Sequence, residues 1–247
     1  MRSDSIQPEV PTPTPVVKPF HVKWPATTLL EQTLKRRPDF HADVHSISAT
    51  AGDEQSTAYL IRDTTANPVP LGLIGLGMSI LLLNFHFAGF IPMDAMIVGM
   101  GTFCGGVEQV MVGIMAWKKN NIFAATTFSS LGLFWLSLVA IILSPSLGMG
   151  KASPAAMGFY LSIWALFTAG IFLASFRRSR AIRVVFGLLL TFFILLAAGH
   201  ASSSPILIHI AGYAGILSGI SAIYTGLAHV MNELFHKTLL PLGVQHS

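Results

Sequence analysis

The feature that most limits the fold is a set of long runs almost free of charge. Between residues 69 and 232 the apolar stretches fall at 69–88, 94–117, 122–143, 157–176, 182–199 and 206–232. Each has about the length of 20 residues that a helix needs to cross a bilayer. The separators hold helix breakers or charge: PMD, KKNN, SPSLGMGKASP, RRSR and ASSSP. Only 11% of the 247 residues are charged, and 52% are hydrophobic. A soluble domain carries about a quarter charged residues. The pattern predicts an all-α integral membrane protein with six transmembrane helices.

The net charge of +4 marks orientation rather than nucleic-acid binding. Lys118 and Lys119 lie between the second and third runs, and Arg177, Arg178, Arg180 and Arg183 lie at or just after the fourth-to-fifth connection. Arg62 precedes the first run and Lys237 follows the last; the other side has only Lys151. Basic residues favour the cytoplasmic side, so both termini are expected there.

Residues 1–66 are of another kind. PEVPTPTPVVKPF is Pro-rich and predicts an extended, disordered cytoplasmic tail. WPATTLLEQTLKRR, residues 24–37, reads either as a short interfacial helix or as polar tail with local helicity. The transport domain is expected over 67–236, with a C-terminal cytoplasmic tail over 237–247. The single Cys104 allows no disulfide within the chain. No metal cluster, nucleophile–base pair or phosphate loop is visible, so neither an enzyme nor a cofactor is expected.

Local motifs explain packing first. Gly101–Gly105 and Gly215–Gly219 have GxxxG spacing, which lets helix backbones approach closely. Gly72, Gly75 and Gly77 serve the first helix in the same way. Asn67 is placed to cap that helix, with Pro68 at its first position.

Several polar groups stand inside the runs. Asn84 offers an uncharged donor for a carboxylate, or an interhelical hydrogen bond. Ser79 adds a hydroxyl that can instead bond its own helix. Glu108 and Gln109 lie mid-run, and an intramembrane carboxylate is a functional candidate. Glu108 reads equally as a proton site or as a partner for a neighbouring helix or subunit. His86 lies two residues beyond Asn84, and His209 opens the last run on the same side. His229 and His236 lie at the other end, and Asn232 with Glu233 is placed to anchor the last helix. No lysine or arginine lies deep in any run, so carboxylate binding would rest on weak neutral donors, which suit a permeation path.

NPVPLGL, residues 67–73, resembles the NPAPLGL signature of the acetate uptake transporter family, the succinate–acetate permeases. Its members here are Asn67, Pro68, Pro70, Leu71, Gly72 and Leu73. LLLNFHFAG resembles that family's LLNLHNAG, and FCGGVEQ its FYGGxAQ. LGLFWLSLVAI and FYLSIWALFT are similar to its third and fourth helices, and the segment from His209 to Gly243 to its last helix and tail. The likeness runs from about residue 66 to 243.

The resemblance implies six helices with both termini in the cytoplasm, and a homo-oligomer, a hexamer, with one pore per subunit. It implies carriage of acetate and other small monocarboxylates, in some members succinate, often with protons. It places Asn84 in the pore and matches Gln109 and His86. Glu108 departs from the family, which has a small residue there. The family narrows its pore with a phenylalanine, a tyrosine and a leucine; matching by motif gives Leu76, Leu131 and Leu189. The expected location is the plasma membrane, with an organelle membrane as alternative. Competing readings are a conduit for another small solute such as ammonia, and a membrane sensor or scaffold.

Overall fold

The computed structural model describes residues 65–243. The expected tail helix at 24–37, and the tail over 1–64, lie outside the described residues. Within them the chain forms α1 (Val69–Phe87), α2 (Ala95–Lys118), α3 (Ile122–Leu143), α4 (Pro154–Ser175), α5 (Arg180–Ala201) and α6 (Pro205–Leu234). All six are long and apolar enough to cross a membrane. In lipid every backbone polar group must be satisfied internally, and helices do this within one segment. Several hydroxyls follow the same rule. Ser79, Thr102, Ser162, Thr168, Thr191 and Thr225 each donate to the carbonyl four residues earlier.

The helix starts are written in local chemistry. Asn121, Ser153 and Ser179 accept backbone N–H bonds from Ala124, Ala156 and Ile182. Because Ser153 caps and Pro154 takes the first position, α4 begins three residues before the expected 157. Asn67 Oδ1 accepts from Val69 N–H at 3.1 Å. That is the capping bond expected of it, although the regular turn starts one residue later than expected, after Pro68.

Consecutive helices pack side by side, and α6 closes the ring on α1 in the most extensive interface. Small residues make that closure possible. A methyl group at Gly219 would stand 2.8 Å from the Gly77 carbonyl oxygen and 2.9 Å from the Leu81 nitrogen. The thinnest junction is α3 against α4. Aromatic rings fill it: Phe134 meets Trp164 at 5.1 Å and stacks on Tyr160 at 6.0 Å, and Tyr160 shares a 2.7 Å hydrogen bond with Ser137.

Two features depart from the expected pattern. The middle of α2, Gly101–Glu108, is wound as a π-helix. Its glycines admit α3: a methyl at Gly105 would meet the Trp135 ring at 2.5 Å, and one at Gly106 would meet Leu136 at the same distance. The C-terminal segment is a docked strap rather than a free tail as far as residue 243. Asn232 Oδ1 accepts from Leu239 and Leu240 N–H, and its Nδ2 donates to Leu240 O. The strap then covers the start of α5, where Arg180 and Ala181 N–H donate to Gly243 and Leu242 carbonyls. The first N–H groups of a helix have no internal partner, and here another segment supplies one.

Candidate functional site

Alternate crossing puts the starts of α1, α3 and α5 on one face, together with the end of α6. A cavity of about 310 Å³ opens there, lined by Asn67, Val69, Asn121, Arg177, Arg178, Ser179, Ile182 and His229. Three helix N-termini, each with a partial positive charge, thus share one mouth with two arginines. The Arg178 guanidinium lies over the Phe123 ring at 5.3 Å. His229 bonds back to Thr225 O at 2.8 Å through Nδ1. The sequence showed these arginines only as topology markers; it gave no sign that Asn121 and Ser179 would face them.

A second cavity, of about 350 Å³, opens on the opposite face. It is lined by the ends of α1 and α5 and the starts of α4 and α6, including His86, His200 and His209. Two of these histidines were legible as mouth residues. His200 was not, because it ends an apolar run in which nothing marks its direction.

Between the mouths the structure is closed. Leu76, Leu131 and Leu189 come from α1, α3 and α5 and belong to one buried cluster. They are 0%, 2% and 1% exposed. At 1.5 Å of rise per residue they lie roughly 10–14 Å from the starts of their helices, near the middle of a bilayer core of about 30 Å. Three leucines matched only by motif therefore lie at similar depth within one buried cluster.

The polar candidates surround this cluster unevenly. Asn84 is fully buried. Its Nδ2 donates to Ile80 O at 2.8 Å, and its Oδ1 has no partner. It forms no interhelical hydrogen bond; Gly215 of α6 makes room for its amide, which a methyl there would overlap. Ser79 bonds its own helix at Gly75 O, 2.8 Å away, with a longer approach to Met100 O. Gln109 reaches across to α1, where Nε2 donates to Gly72 O at 2.8 Å while Oε1 stays unpaired. It joins α2 to the NPVPLGL segment. Glu108 packs its carboxylate onto Gly75, takes a hydrogen bond from the Cys104 thiol, and leaves Oε1 without a partner. It is neither beside Asn84 nor among the residues lining either mouth. Thr127, on α3, also has a buried hydroxyl with no acceptor, a residue that sequence reasoning passed over. Among the described residues no group of histidine, cysteine and carboxylate is arranged to hold a metal.

The chain is similar in sequence and fold to known membrane proteins. The Escherichia coli K12 protein named succinate-acetate/proton symporter SatP is 44% identical over 182 residues, which is 73% of this chain and 97% of that protein. The solved structure of the bacterial acetate channel SatP superposes with a TM-score of 0.71 at 44% identity, covering 73% of this chain and all of that one. A Saccharomyces cerevisiae protein named ammonia transport outward protein 2 is 32% identical over 190 residues, 71% of this chain and 67% of that protein. The family described as GPR1/FUN34/yaaH matches residues 52–242, beginning ahead of the resemblance read from motifs. With its six crossing helices and this match over most of its length, the chain belongs to the GPR1/FUN34/yaaH family.

Proposed function

We propose that this protein carries acetate and related small monocarboxylates across a membrane, along the seam between α1, α3 and α5. One observation carries the reading. Two cavities open at opposite ends of the ring, and Leu76, Leu131 and Leu189 lie in the buried apolar cluster at mid-depth, which supports reading them as the seal. The relatives supply the substrate class, since one is named a symporter and another an acetate channel.

The apolar seal sets the form in which the solute passes. A bare carboxylate entering it loses water at a large cost. Flux therefore rises as pH falls, either because the neutral acid crosses or because Glu108 takes up a proton. Asn84 and Gln109 each keep an open amide oxygen; we place Asn84 on the path because its donor is spent within its own helix, whereas Gln109 ties α2 to α1. The basic residues at the ends of α2, α4 and α6 support placing that face, and both termini, in the cytoplasm. The family resemblance supports a hexamer with one path per subunit and a plasma-membrane location.

Uptake of labelled acetate into proteoliposomes holding the full chain tests the reading. Saturable uptake that grows toward acid pH is expected. Correctly inserted protein that passes ammonia but not acetate would shift the assignment to the activity named for the yeast relative.

A further inference from the structure

The mouth opposite the termini gathers three imidazoles from three helices. His86 sits in the last turn of α1, His200 in the last turn of α5 and His209 at the fifth position of α6, and all line one cavity of about 350 Å³. His86 Nδ1 lies 3.2 Å from Ile91 O. A carbonyl only accepts, so Nδ1 is the donor and Nε2 is left to bind a proton without breaking that bond. The His209 ring lies over Gly89, whose φ of +84° turns the chain beneath it; even a methyl there would be 3.6 Å from the ring. α6 begins at this mouth without a side-chain cap, so its positive end is unneutralised.

No carboxylate, lysine or arginine lines the cavity. The other ionisable groups near this face are few among the described residues. Asp94, before α2, is engaged by the Met96 N–H at 2.8 Å, and Lys151 lies in the connection to α4. α4 brings Tyr160, held by Ser137, and α6 brings Tyr213, against Phe90. A free histidine titrates near 6.5, within the range of ordinary external pH. Imidazole is the side chain whose charge changes near neutral pH, so protonation at this mouth adds up to three positive charges around the cavity.

We propose that this cavity is a docking site for small carboxylate anions that protonation of His86, His200 and His209 switches on. It rests on the transport reading and specifies its ligand form: the anion is held at the mouth before the apolar seal is met. Docking is expected to strengthen about tenfold between pH 7.5 and pH 5.5 as imidazoles at this mouth take up protons.

Ethanesulfonate separates docking from passage, because a sulfonate stays ionised throughout this range. In acetate-loaded proteoliposomes the full chain is inhibited by ethanesulfonate applied to the histidine face, with an inhibition constant about tenfold lower at pH 5.5 than at pH 7.5. In His200→Asn/His209→Asn that pH dependence is lost. In His200→Lys, which fixes a charge, inhibition is strong at both values. Equal constants at the two pH values in the unaltered protein would overturn the proposal, as would an unchanged pH dependence in the double variant. If the unaltered protein carries no acetate, the transport reading fails separately. Docking is then read from the ring resonances of the three histidines in detergent. Shifts on adding ethanesulfonate at pH 5.5 and not at 7.5 support it, and none at either pH rejects it.

Discussion

Leu131 offers the sharpest test of the seal. It is 2% exposed, sits mid-way along α3 and touches the same cluster as Leu76 and Leu189. Leu131→Ala removes three carbon atoms from that point. Butyrate exceeds acetate by two methylene groups, so the space released matches the added length. One methylene in a fitted pocket is worth about 1–3 kcal/mol in discrimination. The butyrate-to-acetate flux ratio should therefore rise at least about tenfold, which corresponds to about 1.4 kcal/mol. Leu76→Phe works in the other direction: it adds bulk at a fully buried position and should lower the ratio. A purely structural role predicts something else. A buried leucine cut to alanine costs about 2–5 kcal/mol of stability, and overpacking costs about 1–3 kcal/mol, but neither sorts solutes by length. Labelled acetate and butyrate uptake, measured on each variant alongside its thermal unfolding, distinguishes the two. A ratio that stays constant in folded Leu131→Ala, or moves the same way in both variants, would show that the cluster is core and not gate.

Gly219→Ala should lower the unfolding temperature and impair assembly, because its methyl meets the backbone of α1, which cannot yield as a side chain would; Gly170→Ala, with nothing within 4 Å, should be neutral or slightly stabilising in the same melt. Asn84→Ala should cut acetate flux strongly yet cost under about 1 kcal/mol in stability, since it removes an acceptor that is buried unmet, a state that itself costs about 1–3 kcal/mol; normal flux would remove Asn84 from the path. Asn232→Ala should release the C-terminal strap, and proteolysis near residues 237–243 should then become fast in detergent while it stays slow in the unaltered chain.

The spans were legible because they rest on a one-dimensional property. A bilayer fixes how many apolar residues a helix needs, and every separator carries a proline, a glycine or a charge. Boundaries moved by one to three residues, most at the start of α4, where Ser153 caps and Pro154 takes the first position. Glycine spacing also transferred well: Gly215 and Gly219 line α1, and Gly101 and Gly105 receive Trp135. The π-helical stretch was not legible, because it depends on how far Trp135 and Leu136 push into α2. That distance belongs to the packed pair of helices and not to the sequence of either.

The site divides along the same line. A motif can align Leu76, Leu131 and Leu189 with positions in known relatives, but their lying at similar depth follows from the lengths and starts of three separate helices. Polar residues were harder, since their type does not tell where the side chain turns. Gln109, expected on the solute path, spends its amide on Gly72 and so holds α2 to the segment that carries the signature. Ser79 turns back on its own helix. Asn84 donates to its own helix at Ile80, and Asn84 and Gln109 each keep a buried amide oxygen with no partner. The unmet oxygens have a physical meaning: in a medium without water an unmet acceptor is retained at a cost. Asn84 and Gln109, each with one open amide oxygen, and Glu108, with one oxygen unpaired against Gly75, are among the buried groups in which that cost is held.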